Sequence, residues 1–338
     1  LIKERFVIMT HPKEETLSPP LPVYQGSGPN QGLFNKIKGM LPFHLWLMLP
    51  TIIVLAVITI YPFIWMVVMS FKETAMDPGE KDVWVGLYNY VRLLDDEPFL
   101  NGVKLLVWYF ILCLSIEMIV GTSVAMLINN AKFENVFIVI FVMPMMVAPI
   151  VVGYLFRFLY NVSFGWGYWF LKSTGLMGGE TILANAKPWL LPFMPSTAFM
   201  AVVAADVWEW TPLIILIVLA GLKAVPQDQL EAARVDGAGP VRTFLEVTLP
   251  NIKGVLLIAV VVRFMDNVRL IDLIYVLTKG GPADTTKILP FYLYNVSFRY
   301  FEFGRGAAIG FILLLFTIIM GMFFVNVVFK KKEVGNNG

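Results

Sequence analysis

Six predominantly apolar runs of about 20 residues or more recur along this chain, and a run of that length crosses a hydrocarbon layer as a helix. No other feature limits the fold as severely. In lipid every backbone N–H and C=O must be satisfied internally, which leaves only helices and closed barrels. The runs fall at roughly 44–70, 103–128, 135–158, 196–221, 254–277 and 306–329. They predict an all-α membrane protein of six transmembrane helices. The first run holds Pro50 and Pro62, the third Pro144 and Pro149; neighbouring helices can satisfy the carbonyls that such prolines free. Charged residues make up 15% of the 338, against about 25% in a soluble domain, as expected of a chain that faces lipid.

Several function classes drop out on composition. A single cysteine, Cys113, forms no internal disulfide. The two histidines, His11 and His44, lie in or near the N-terminal segment, so no Cys/His metal cluster or catalytic triad is visible. A net charge of +2 gives no reason to expect nucleic acid. Lysine and arginine set the orientation. With the N-terminus inside, 13 basic residues fall in inside segments and 8 in outside loops, and Lys330–Lys332 follow the last span as an anchor. Both termini are then expected in the cytoplasm. Residues 1–43 read as a tail, mostly disordered over 1–32, with an interfacial helix at 33–42. Residues 44–329 read as the membrane domain and 330–338 as a short second tail. Segment 160–170 carries Tyr160, Phe164, Trp166, Tyr168, Trp169 and Phe170, which reads as an aromatic belt at the headgroups or as a docking lip. The Met143–Met146 run reads as packing.

Between spans four and five the chain turns polar, over 222–252. Pro226 suits the first turn of a helix and Gly237 the left-handed residue that ends one. Residues 226–236 therefore read as one short helix. Pro240 opens a second, running to about Glu246, and Leu249-Pro250 ends it. The pair makes a compact hairpin whose small residues Ala232 and Ala233 let another protein approach closely, with Glu231, Asp236 and Arg242 at its edge. A loop folded only on itself is the plainer alternative.

This segment resembles the EAA loop of ATP-binding-cassette importer permeases through Glu231-Ala232-Ala233, Asp236-Gly237-Ala238, Phe244 and Leu249-Pro250. Trp208, Trp210-Thr211-Pro212, Leu219-Ala220-Gly221-Leu222 and Pro226 match the same family upstream. Ile274–Thr278 with Gly280-Gly281-Pro282, Tyr294 and Phe298 resemble its carbohydrate-uptake branch, the maltose and glycerol-3-phosphate type. Nearer the front, Tyr61-Pro62, Ser70-Phe71, Val85-Gly86-Leu87 and Asn89-Tyr90 match as well. Gly239-Pro240 departs from the pattern, where polar residues are usual. The resemblance, over about 44–330, implies a type I importer permease in the inner membrane of a prokaryote. It implies a second permease, two ATPase subunits and an external substrate-binding protein as partners. It also implies that ATP and magnesium are bound by the ATPases, since this chain has no Gly-x-x-x-x-Gly-Lys-Ser/Thr loop. The hairpin residues Glu231, Ala232, Ala233, Asp236, Gly237 and Phe244 are then the ATPase-docking set.

Charge inside a span costs about 2.5–3.5 kcal/mol per residue on insertion scales and marks a candidate site. Span four carries Asp206, Glu209 and Trp210; span five carries Arg263, Asp266, Asn267 and Arg269. At i, i+3, i+4 spacing each set shares a helix face. Asp206, Trp210, Arg263, Asp266 and Asn267 are the candidate substrate-binding residues, because planar polar groups bond sugar hydroxyls and an aromatic ring covers the apolar face of a sugar. An ion pair of Arg263 with Asp266 or Asp206 that fixes helix packing is the competing reading. Glu117 reads as pairing within the bundle and Asp272 as a packing position. An ion-coupled secondary carrier is the functional alternative, but such carriers are built from internal repeats and none is visible here.

Overall fold

In the computed structural model, the described residues are 43–74, 81–129, 131–175, 181–189 and 191–333, with side chains described over 47–326 of that set. The expected tail at 1–32 and interfacial helix at 33–42 lie outside the described residues. The chain divides at Tyr61/Pro62 into two compact units. In the first, residues 43–61 are the N-terminal part of helix α1 (Phe43–Ser70) and present most of their apolar side chains outward.

The second unit begins with the rest of α1. A two-residue antiparallel ribbon follows, β1 (Lys72–Glu73) with β2 (Val83–Trp84). Helix α2 (Tyr88–Leu94) lies next, and its buried Asn89 donates to the carbonyls of Ser70 and Lys72 at 3.0 and 2.8 Å. Helix α3 (Glu97–Ile128) and helix α7 (Thr197–Lys223) form the most extensive helix–helix contact. Gly121 of α3 makes that approach: a Cβ there would lie 2.7 Å from Ile214 Cγ2. Ser196 caps α7 by accepting the Phe199 N–H at 3.1 Å, which satisfies one of the four free donors at a helix start.

The third expected span is not one helix. Helix α4 (Glu134–Val142) passes through a tight turn at Met143–Met146 into α5 (Pro149–Leu159), and the two helices meet at 95°. Pro144 and Pro149 are the reason. Each lacks an N–H, and Pro149 pushes Ala148 to extended backbone (ψ 139°). The Met143–Met146 run does not pack into the core of this chain, with Met143 60% and Met146 81% exposed. Five described helices are long and apolar enough to cross a membrane, and six spans result if the bent pair counts as one. Helix α6 (Trp166–Ser173) follows; Tyr160 and Tyr168 are buried while Phe164, Trp166, Trp169 and Phe170 are exposed.

The hairpin is α8 (Gln227–Val235) and α9 (Pro240–Thr243). The break expected at Leu249-Pro250 is absent. A single wide turn over Phe244–Thr248 joins α9 to α10 (Leu249–Asn267), and Leu249 N–H reaches back five residues to the Phe244 carbonyl. That extra residue in the turn accommodates Pro250, which has no N–H to continue the ordinary ladder. Span five therefore runs without a break from the hairpin arm and stops at Asn267, ten residues before its expected end. Helices α11 (Asp272–Leu277), α12 (Leu289–Phe298) and α13 (Phe303–Glu333) complete the unit. The Gly280-Gly281-Pro282 turn between α11 and α12 is held by the Thr278 and Thr286 hydroxyls, 2.7 Å apart. At the end away from the hairpin, Asp96 accepts from the Tyr292 hydroxyl at 2.6 Å and pairs with Arg305, which also meets Glu302 at 2.9 Å. Burial and the Asp96 carboxylate raise the Tyr292 hydroxyl above its ordinary range.

Candidate functional site

The hairpin is closed by local chemistry. Gly237 takes φ +72°, Ala238 N–H bonds the Ala233 carbonyl at 2.9 Å and Gly237 N–H bonds Arg234 at 3.1 Å. This pair of bonds satisfies the last carbonyls of α8 and turns the chain. A polar cleft of about 340 Å³ opens between the arms. Ala232 and Ala233 of α8 and Asp236 just after it line one side, and Arg242, Glu246 and Asn251 the other. Arg242 donates to Glu246 at 2.9 Å, and the Asn251 amide donates to Gln229 at 2.8 Å, tying α8 to α10. Glu231 is exposed, and Phe244 is half-buried outside the cleft. Three exposed apolar side chains that the motif does not include crown the hairpin: Val235 at 86%, Val241 at 71% and Leu245 at 54%. Their signal in the sequence was apolar residues inside an otherwise polar segment.

The second cluster joins α3, α7 and the last turns of α10. Arg263 is fully buried and uses four of its five N–H donors. Its Nε and Nη2 donate to both oxygens of Glu117 at 2.7 and 2.6 Å. Nη2 also donates to Asp206 at 2.7 Å and Nη1 to Asp266 at 2.9 Å. The Trp210 ring lies 5.1 Å from the guanidinium. Three long helices, α3, α7 and α10, are thereby stapled through one side chain. The buried part of this cluster, Arg263 with Glu117 and Asp206, is costly to break from one side, about 3–5 kcal/mol.

Four of the five predicted residues meet here: Asp206, Trp210, Arg263 and Asp266. They form two layers. Arg263, Asp206 and Glu117 are interior, the ion-pair arrangement that competed with direct contact. Trp210 is half-buried, and Asp266 keeps 32% of its side chain exposed, with Arg269 3.5 Å away on the open side. Glu117 pairs within the bundle, and no local pattern pointed to Arg263 as its partner. Asn267 stands apart from the other four. Four residues along a helix overshoot a turn by about 40°, and its side chain lines a separate apolar cavity of about 300 Å³ with Phe110, Phe264 and Phe316. Both polar atoms of that amide are buried without a partner among the described residues. Another cavity, of about 680 Å³, lies between α3, α7 and the bent pair, is lined mainly by apolar side chains such as Ile116, Phe141 and Trp208, and holds none of the five.

Residues 117–333 match the family model of the binding-protein-dependent transport system inner membrane component. Over 281 residues the chain is 36% identical to the trehalose/maltose transport system permease protein MalF of Thermococcus litoralis, covering 81% of this chain and 90% of that one. The fold is similar to that of a bacterial ABC transporter involved in the import of the acidic polysaccharide alginate (TM-score 0.70, 20% identity, 88% of this chain and 98% of that chain). A bacterial alginate ABC transporter in complex with an alginate pentasaccharide-bound periplasmic protein also matches, with TM-score 0.68 and 19% identity over 86% and 95% of the two chains.

Proposed function

Because the chain belongs to the family of binding-protein-dependent transport system inner membrane components, we propose that its hairpin seats a partner ATPase and that its Trp210–Asp266 face lines the path of a sugar. The chain is a permease subunit of a sugar importer, a multi-pass protein of the inner membrane, and works with a periplasmic binding protein. It is not an enzyme; ATP hydrolysis lies with partner subunits. The full assembly we assign is this chain, a second permease, two ATPases that hold ATP and magnesium, and the binding protein, with the hairpin and both termini of this chain in the cytoplasm.

One observation carries the mechanism. The helix from Pro240 to Asn267 is unbroken through the wide turn, so the outer arm of the hairpin and the charge cluster are parts of one rod. From Arg242 to Arg263 that rod spans about 30 Å at 1.5 Å per residue. A displacement of the hairpin reaches Arg263 without an intervening joint, and its bonds to Glu117 and Asp206 pass the motion to α3 and α7. The three helices then move together and expose the Trp210–Asp266 face alternately to each side. Ala232, Ala233, Asp236 and Gly237 supply the cleft and turn that receive the ATPase. Glu231 and Phe244 flank it, and Val235, Val241 and Leu245 add apolar contact.

The test is uptake by the whole importer in sealed liposomes. Uptake is expected to require internal ATP and external binding protein and to persist when ion gradients are collapsed. Uptake driven by an imposed ion gradient without ATP would instead establish the ion-coupled carrier.

A further inference from the structure

The apolar cavity at Asn267 has no part in the hairpin or in the charge cluster. Eight of its nine lining side chains are apolar, supplied by α3, α10 and α13. Asn267 is the ninth. It is 2% exposed, and neither its amide oxygen nor its amide nitrogen meets a partner among the described residues. Flipping the amide exchanges the two atoms and leaves both unpaired. A buried amide in that state is costly. The walls do not relieve it: Phe110, Phe264 and Phe316 present rings, and Phe110 meets Phe264 edge to face at 4.9 Å. With about 300 Å³ of space and one polar group among apolar walls, the cavity has the lining of a small-molecule site.

The chemistry of the walls narrows the occupant. A carboxamide sets a carbonyl acceptor beside an N–H donor, so a group that satisfies both must donate and accept side by side. A protonated carboxyl or a second carboxamide does this; an ester or an alkane does not. No charged side chain lines the cavity, so an ionised carboxylate would be buried without a cation and only the neutral form is held. The rest of the molecule has to be apolar, because a polyol would leave its other hydroxyls unpaired against these walls. The way in is from hydrocarbon. Val107 and Ile111 of the lining are 43% and 48% exposed. Phe110 and Phe316 lie thirteen residues in from Glu97 and Phe303, the starts of α3 and α13. That is about 20 Å along each helix, a depth where headgroups do not sit in a core about 30 Å thick.

We propose that this cavity binds a single-chain lipid through a neutral carboxyl, a protonated fatty acid. The carboxyl donates to Asn267 Oδ1 and accepts from the Nδ2–H. The acyl chain fills the space between α3, α10 and α13 and leaves past Val107 and Ile111 into the bilayer.

Palmitic acid carrying a diazirine on its chain is the probe, added to the assembled importer in nanodiscs and located by peptide mass spectrometry after illumination. Label is expected in residues 106–111, 264–268 and 316–320. Excess palmitic acid or palmitamide is expected to displace it, and methyl palmitate is not. Asn267→Leu keeps the apolar packing and is expected to cut labelling about tenfold, the scale of two lost hydrogen bonds. Palmitamide is expected to raise the unfolding midpoint of the wild-type importer and to leave that of Asn267→Leu where it was. Val107→Trp, at the exposed mouth, is expected to block labelling with the lipid-free midpoint unchanged. Equal displacement by methyl palmitate, or undiminished labelling of Asn267→Leu, would mean a gap that any chain enters and would overturn the carboxyl site. Absence of label from all three segments overturns it too. So does earlier unfolding of Asn267→Leu without added lipid, since the amide would then already have a partner in the assembly.

Discussion

Replacing Arg263 with methionine would leave Glu117, Asp206 and Asp266 facing one another without their shared cation. Removing one member of a buried pair costs about 3–5 kcal/mol, so Arg263→Met is expected to lower the thermal unfolding midpoint of the detergent-solubilised chain sharply. Glu117→Gln keeps an acceptor for one of the two bonds and is expected to cost less. An unchanged midpoint for Arg263→Met, followed by tryptophan fluorescence, would show that the staple does not hold the bundle. Position 237 is a milder case. Its φ of +72° suits glycine, and placing a Cβ in the left-handed region costs roughly 1–2 kcal/mol. The surrounding space is open, so Gly237→Ala is expected to weaken the hairpin without unfolding the membrane domain, whereas Gly237→Pro also removes the N–H that bonds Arg234 and should abolish uptake. Spacing on two helices was enough to nominate Asp206, Trp210, Arg263 and Asp266. It did not separate the buried layer from the open one, because depth depends on what packs behind a residue. The apolar cavity around Asn267 was equally hidden, since α3 and α13 build most of its walls.

At the scale of elements the wide turn at Phe244–Thr248 is the informative piece. Deleting one residue there, Glu246, returns the segment to an ordinary helical register and rotates the hairpin by about 100° about the axis of α10. Uptake is expected to be lost while the chain still inserts and binds its second permease. Retained uptake would mean that the hairpin is not held in a set orientation by α10. A charge reversal in the hairpin makes the complementary test. Glu231→Lys is expected to cut both uptake and cargo-stimulated ATP hydrolysis more than about tenfold, the scale on which truncation or reversal at a docking hot spot acts, with insertion intact. Co-purification of the ATPase with normal stimulated hydrolysis would remove the docking role. The first arm of this hairpin was legible residue by residue, because Pro226 and Gly237 act locally. The second was misjudged because Leu249-Pro250 is a good stop signal when considered alone. Whether a proline ends a helix or is absorbed by a wider turn depends on the apolar residues beyond it, which here continue the helix into the membrane.

For the molecule as a whole, the hairpin and the charge cluster are linked by one continuous helix and one arginine. Joining Gln229→Cys to Asn251→Cys by a disulfide would lock α8 to α10 where their side chains already bond; the native Cys113 is buried and does not compete. If the two arms move as one body, the locked importer retains uptake, and loss that is restored by a reductant would show that they must separate. The length and spacing of apolar runs by themselves determined that the chain is a helical membrane protein, where its spans lie and where the polar hairpin interrupts them, because backbone desolvation in lipid acts on each segment independently. Only the tertiary structure decided that the third span bends at 95°, that the hairpin arm and span five are one rod, and that Arg263 is claimed by Glu117. That last bond joins residues 146 positions apart. No local periodicity encodes a contact at such separation; it exists because α3, α7 and α10 pack closely enough to exclude water from a charge that then has to be shared.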